Sequence, residues 1–312
     1  MLFGPLAKEP VNWPMKTNGL HWKAMLQISA KKPEPATKSS NLRRKRTARK
    51  QAEELAFISD RGPFDIIGDV HGCTDELLEL MAKLGYRVKR QKRDFAVKPP
   101  KGRKLAFVGD LANRGPATPQ VLRLVMSMVF AGQAFCVPGN QDVQLARALK
   151  RRDTKVTRGV VLSLQQFKDE SKEFRTEVAK FLNGRASHYV LDDGNLVIAH
   201  AGLKERLHGK NSATARKFAV NGQTTGKTDE FGLPVRYNWT ADYRGKALVV
   251  YGHTPVAAPL WLNNTVDIDT GCVYGGYLTA LRYPEREVVS VPAKAIYYPS
   301  RKRFVPARAA SA

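Results

Sequence analysis

The sequence is short of cysteine and of acid, and it has no long apolar run. Three cysteines, Cys73, Cys136 and Cys272, are spread over 312 residues. They form no CxxC pair and no zinc-ligand spacing, so neither a disulfide framework nor a cysteine-based zinc site organises this chain. They read as three reduced thiols packed as small apolar side chains. No stretch approaches the roughly 18–20 apolar residues needed to cross a bilayer, and the N-terminus lacks the apolar segment of a secretory signal. The expectation is a cytoplasmic protein without a membrane span. Acid is scarce: 28 Asp and Glu stand against 52 Lys and Arg, a net charge of +24. Such a balance draws polyanions through long-range fields and counterion release. Nucleic acid, nucleotides and acidic lipid surfaces are the candidate partners. A generally basic surface with no dedicated partner explains the charge equally well, and charge carries no information about fold.

What is present divides the chain in three. Residues 1–60 carry Pro33, Pro35, Ser39, Ser40 and the run Leu42-Arg43-Arg44-Lys45-Arg46, with no sustained apolar period. They read as a basic, disordered arm able to touch phosphate backbones. Residues 61–295 have the texture of a folded domain, and 296–312 read as a tail. Within the domain, Phe64-Asp65-Ile66-Ile67 is a buried-strand pattern ending in Gly68-Asp69. A helix follows, with Thr74 as its cap and Leu77, Leu78, Leu80, Met81 and Leu84 on its apolar side. Residues 104–108 repeat the pattern, ending in Gly109-Asp110, with a helix over about 118–130. Residues 134–137 repeat it again, ending in Gly139-Asn140. This rhythm argues an α/β fold. Residues 162–183 look helical. Strands over 195–199 and 247–251 then end at His200 and near His253. Residues 265–270, 277–283 and 287–292 resemble a strand meander. The nine Lys and Arg within 87–104 read as a basic loop or hairpin, either a solvated surface feature or a phosphate-binding rim.

Five strand ends therefore deliver residues of metal-ligand type: Asp69 with His71, Asp110, Asn140, His200 and His253. Polar residues at the ends of strands commonly line a crevice in α/β folds, and glycine beside them lets the backbone bend and a ligand approach. Oxygen and nitrogen donors in this number suit two divalent ions, and a carboxylate placed between them can bridge. Singly, each of these residues is more simply a turn residue, a helix cap or a satisfied core histidine. Together, in this order and each after an apolar run, they point to a dinuclear hydrolase.

The motifs resemble those of the calcineurin-like metallophosphoesterases of the phosphoprotein-phosphatase superfamily. Gly68-Asp69-Val70-His71-Gly72 resembles the first motif, Gly109-Asp110-Leu111-Ala112-Asn113-Arg114-Gly115 the second and Gly139-Asn140-Gln141-Asp142 the third. His200 in Ala199-His200-Ala201-Gly202 and His253 in Gly252-His253-Thr254-Pro255 resemble the last two. Segments 243–255, 268–272 and 278–292 are similar to the phosphatase domain of bacterial polynucleotide kinase-phosphatases. Bacterial diadenosine-tetraphosphatases look similar too, but less so at the C-terminal end. The resemblance implies a two-sheet β-sandwich flanked by helices. It implies that Asp69 and His71 hold one metal, that Asp110 bridges, and that Asn140, His200 and His253 hold the second. It implies that Arg114 clamps phosphate, that Asp269 orients water beside the site, and that the metals acidify the attacking water. Manganese is the metal first expected; iron, zinc or nickel are the alternatives. The implied substrate is a phosphorylated nucleotide or nucleic-acid end.

Two positions depart from the family pattern. Asn113 stands where an aspartate is usual, and Gln141 where a histidine is usual. In the family that carboxylate orients the imidazole and favours its cationic form, and the imidazolium protonates the leaving oxygen. Both partners have changed together, and neutral Asn113 can hydrogen-bond neutral Gln141. Losing a general acid typically lowers rate by about 10²–10⁴-fold, most for alkoxide leaving groups. The expectation is a phosphoesterase shifted toward phosphoanhydrides. The alternatives are a pseudo-phosphatase that binds nucleic acid and a serine/threonine protein phosphatase.

Overall fold

The computed structural model describes residues 58–150 and 156–300. Most of the basic arm and residues 301–312 of the tail lie outside the described residues. Two five-stranded sheets form the centre. In the first, β1 (Phe64–Ile67), β4 (Lys104–Phe107) and β5 (Ala134–Cys136) run parallel, and β13 (Tyr277–Tyr283) and β14 (Glu287–Pro292) continue it antiparallel beyond β1. In the second, β7 (Leu196–Ala199), β10 (Leu248–Tyr251) and β12 (Thr265–Asp267) run parallel, with β6 (His188–Leu191) and β11 (Leu260–Leu262) antiparallel at its edges.

The period-2 side-chain alternation of a strand builds the layers. Phe64, Ile66 and Ala106 meet Leu196, Ile198, Leu248 and Val250 in one cluster, the seam between the sheets. Ile67, Leu105 and Phe107 face the other way, onto α1 (Thr74–Lys83), α2 (Thr118–Phe130), α3 (Asn140–Lys150) and α5 (Lys172–Asn183). Val197, Ala199 and Val249 pack on α6 (Ala213–Asn221). Strands covered on both faces need apolar residues at successive positions, which is why these segments read as unbroken runs. Burying one such large side chain contributes about 1.5–3 kcal/mol. The expected helix-flanked two-sheet sandwich is the fold found. No helix among the described residues is long and apolar enough to cross a membrane, and the three cysteines are free and buried.

Several expectations are corrected. Thr74 does not cap α1: it is the first helical residue, its hydroxyl donates to Ala117 O (3.2 Å), and Cys73 holds the cap position without a side-chain bond. The single helix expected over 162–183 is two, α4 (Arg158–Gln166) and α5. The apolar period runs through the break because Phe167 and Phe174 stack at 5.9 Å, while Ser171 Oγ accepts from Phe174 N and starts α5 afresh. The expected meander is divided between the sheets: β12 pairs with β10, whereas β13 pairs with β1 and β14. The intervening residues cross from one sheet to the other and carry Asp269 with them. Ile58 N donates to Val190 O and Lys104 pairs with Asp60 (2.6 Å), while Tyr297 N and Tyr298 N donate to Val273 O. These contacts tie residues 58–60 to the two sheets and residues 297–298 to the crossing between them.

The fold carries a pH-sensitive contact at the edge of the second sheet. His188 is buried, and its Nε2 accepts from Gly209 N (2.9 Å). Burial, then the neighbouring His208, pushes its pKa from 6.5 down to about 4. The unfolded chain therefore binds the extra proton between those values. This histidine's contribution to stability is complete above about pH 6.5 and is lost as pH falls toward 4. Tm measured from pH 7 to pH 4 is expected to fall less steeply for His188→Gln than for the wild type. Parallel curves would refute it.

Candidate functional site

Each of the six proposed donors follows the carboxyl end of a strand: Asp69 and His71 after β1, Asp110 after β4, Asn140 after β5, His200 after β7 and His253 after β10. Parallel pairing within each sheet brings these ends to one edge, and the packed sheets bring the two edges together. His71 Nε2 lies 3.9 Å from Asp69 Oδ2 and 3.6 Å from Asp110 Oδ2. His200 Nε2 lies 3.4 Å from Asp110 Oδ1, 3.1 Å from Asn140 Oδ1 and 2.9 Å from His253 Nδ1. All six side chains are thereby linked in one cluster.

The glycines of the motifs are required by this crowding. A Cβ on Gly139 would sit 2.0 Å from Asp110 Oδ1, and one on Gly252 would sit 2.2 Å from Asp69 Oδ1. The backbone is also strained here: His71, Asp110, Asn113, Arg114 and His253 all have positive φ, between 46° and 79°. Non-glycine residues in that region cost of order 1 kcal/mol or more each, and such residues cluster where function demands a geometry.

The electrostatics suit a cation. His71 Nδ1–H donates to Ala112 O (3.0 Å) and His200 Nδ1–H to Val108 O (3.1 Å), which leaves each Nε2 lone pair facing the cluster. Burial, then the Arg114 charge, pushes His71 down to about 3, and burial lowers His200 and His253 as well, so all three imidazoles are neutral and able to donate. Asp69 is held well above the usual carboxylate range by burial, then by Asp269, Asp110 and Asp267. His253 Nε2 is buried without a hydrogen-bond partner. Lone pairs and carboxylates gathered this closely are the donor set of a divalent cation, and Asp69, His71 and Asp110 alone bring three ligand atoms within 4.8 Å of one another. The residues fit the ions that the motifs imply.

Around the cluster, Arg114 donates to His71 Nε2 at 2.8 Å. Asp269 is buried, burial pushes its carboxyl up to about 7, and it accepts from Gly271 N (3.1 Å). Asn113 Nδ2 donates to the main-chain oxygen of Gln141 (2.9 Å) and to its Oε1 (3.3 Å). The neutral pairing expected from the sequence is in place. Gln141 N in turn donates to Asp110 Oδ1 (2.8 Å).

Three residues escaped the sequence reading. Asp142 is buried and accepts from Ala112 N (3.1 Å) and Gly139 N (2.9 Å), tying the second motif loop to the third. Its place in the third motif was visible; its tie to the second was not. Asp267 lies on β12, and burial, then Asp269, raises its carboxyl. Arg236 comes from β9 (Pro234–Arg236), which pairs with β8 (Thr224–Thr228) in a small hairpin. It lines the same cavity as Arg114, Gln141 and His253, a space of about 500 Å³. No local signal marks Arg236 among so many basic residues. The basic segment 87–104 is a hairpin, β2 (Arg87–Gln91) and β3 (Asp94–Lys98), with Arg87, Lys89, Arg90, Lys92 and Arg93 exposed. None of it lines the cavity, so it forms no rim over the site: the hairpin packs on α1 and α2 instead.

Comparison with known proteins agrees with this geometry. The calcineurin-like phosphoesterase family profile matches residues 62–281. A bis(5'-nucleosyl)-tetraphosphatase PrpE [asymmetrical] of Anoxybacillus flavithermus is 47% identical over 244 residues, 77% of this chain and 98% of that protein. Its counterpart in Bacillus subtilis is 41% identical over the same shares. A solved structure assigned as a diadenosine tetraphosphatase has a TM-score of 0.55 at 23% identity, covering 76% of this chain and 97% of its own, and shares the fold. Members of this family act through a dinuclear divalent-metal site. The chain belongs to the calcineurin-like phosphoesterases and is a metal-dependent phosphoesterase enzyme.

Proposed function

We propose that the chain hydrolyses phosphoanhydride bonds of dinucleoside polyphosphates, bis(5'-nucleosyl) tetraphosphates foremost. The observation that carries this reading is the convergence of six donor side chains beside Arg114, with Arg114 and His253 lining a cavity sized for a nucleotide. Asp69 and His71 would hold one ion, Asn140, His200 and His253 the second, with Asp110 shared between them. Manganese is the first choice, with iron, zinc or nickel also suited to mixed imidazole and carboxylate donors. When bound, two such ions would supply positive charge beside the phosphoryl oxygens and lower the pKa of the attacking water. The remaining work falls to the protein. Arg114 and Arg236 present guanidinium forks to the equatorial phosphoryl oxygens. Asp269 orients the incoming water. Gln141, steadied by Asn113, donates a hydrogen bond to phosphate but has no proton to release to a leaving group. A phosphate leaving group needs little protonation, and an alkoxide needs much. The names of the relatives, tetraphosphatases covered over nearly their whole length, support the same substrate class. Three unpaired thiols suit a reducing, cytoplasmic setting.

The expected result is faster turnover, with manganese, of diadenosine tetraphosphate than of a 3'-phosphorylated oligonucleotide or a phosphoserine peptide. Equal or inverted rates would reject this reading.

A further inference from the structure

The cavity beside the cluster is lined by groups of two kinds. Arg114, Arg236, Gln141 and His253 share it with Leu233, Pro234, Tyr298 and Pro299. Guanidinium groups and flat apolar surface within one cavity match the two halves of a nucleotide. Tyr298 lines this cavity from a segment held in place before any ligand arrives. Tyr298 N and Tyr297 N both donate to Val273 O, at 3.0 and 3.1 Å. Tyr297 Oη donates to buried Glu76 Oε1 (2.8 Å), pinning the same segment to α1. Tyr298 is half-buried against the core of the first sheet. The Arg158 guanidinium, from the first residue of α4, stands 5.9 Å from the centre of its ring. An aromatic ring beside a guanidinium is a stacking surface for any nucleobase, since every base has a π face. A tyrosine so fixed loses little side-chain freedom when a ligand stacks on it.

We infer that Tyr298, backed by Pro299 and Arg158, is the platform of a nucleobase subsite that holds one nucleoside of the substrate while its phosphates reach Arg114 and Arg236. The inference rests on the phosphoanhydride reading for the ligand's identity, yet it concerns the base and leaves the chemistry to the metal cluster. It also gives residues 296–300 a role, since they bring to the cavity a ring that no catalytic motif supplies.

The test compares ATP with inorganic tripolyphosphate as competitive inhibitors of manganese-dependent aryl phosphate hydrolysis. The two share a phosphate chain and differ in the nucleoside. For the wild type, ATP is expected to inhibit about 5–150-fold more tightly, the range of one base stacked on an aromatic ring. For Tyr298→Ala the ratio of the two inhibition constants is expected to fall toward one, and Tyr298→Phe should keep it. A wild-type ratio near one, or a ratio untouched by Tyr298→Ala, overturns the subsite. Loss of affinity for both inhibitors by the same factor leaves the ratio untouched and also overturns it. The substrate reading fails separately. If diadenosine tetraphosphate is not hydrolysed while the ratio still depends on Tyr298, the anhydride reading falls and the base subsite stands.

Discussion

The double variant Asn113→Asp, Gln141→His is expected to hydrolyse phosphomonoesters with alkoxide leaving groups about 10²–10⁴-fold faster than the wild type, the usual contribution of a general acid. Its rate on diadenosine tetraphosphate should change by less than about tenfold, since a phosphate leaving group departs without that proton. The positions already touch: Asn113 Nδ2 lies 3.3 Å from Gln141 Oε1, and both residues are buried. A carboxylate at 113 would face an imidazole at 141 and hold its proton. Asn113 has φ 71°, a conformation that aspartate also tolerates, so the backbone need not move. The single variants should disagree with the double. Asn113→Asp alone puts a buried carboxylate against two acceptor oxygens of Gln141, with a loss of a few kcal/mol of stability. Gln141→His alone places an imidazole in the first turn of α3, near Arg114 and without a compensating carboxylate. There the helix dipole and the arginine keep it neutral, and the rate gain should be small. Steady-state kcat on an aryl phosphate, an alkyl phosphate and diadenosine tetraphosphate, across all four proteins, checks this. Simple additivity of the single effects would refute the coupling.

Asp110→Asn is expected to lower kcat on every substrate by at least about 10³-fold, as removal of a charge stabiliser worth several kcal/mol in the transition state demands. Bound manganese should fall below two ions per chain. The fold should survive. Asp110 Oδ1 accepts from Gln141 N, a bond the asparagine oxygen can keep. Without metal, the lost negative charge relieves Asp69 and Asp269, both of which Asp110 pushes upward. Metal-free Tm should therefore be unchanged or higher, while the rise in Tm that manganese gives the wild type should shrink, because a ligand stabilises only the state that binds it. Elemental analysis, thermal melts with and without manganese, and kcat together decide the matter. Retained turnover with two ions bound would rule out the shared-ligand role of Asp110.

The strand-and-helix rhythm over residues 64–137, the five strand ends and the residues gathered at them were legible in the sequence. Local chemistry dictates them. A strand buried on both faces needs a continuous apolar run, as in Phe64–Ile67 and Leu248–Tyr251, and a sharp turn against a carboxylate admits only glycine, as at Gly139 and Gly252. The pairing of Asn113 with Gln141 could be read because a hydrogen-bonded pair constrains both members. Other features depended on contacts that no local pattern encodes. The break at Ser171 keeps the apolar period, so only the stacking of Phe167 on Phe174 reveals it. The assignment of β12 and β13 to different sheets follows from which strand each pairs with across long separations. Arg236 and Tyr298 carry no local mark; a small hairpin and the segment after β14 bring them to one cavity, and only burial beside Asp269 singles out Asp267. The sequence by itself determined which groups could do the chemistry, because residue type and turn geometry are local properties. Tertiary structure alone decided which of them meet and what surface the substrate finds beside them, because proximity across the chain is set by how the layers pack.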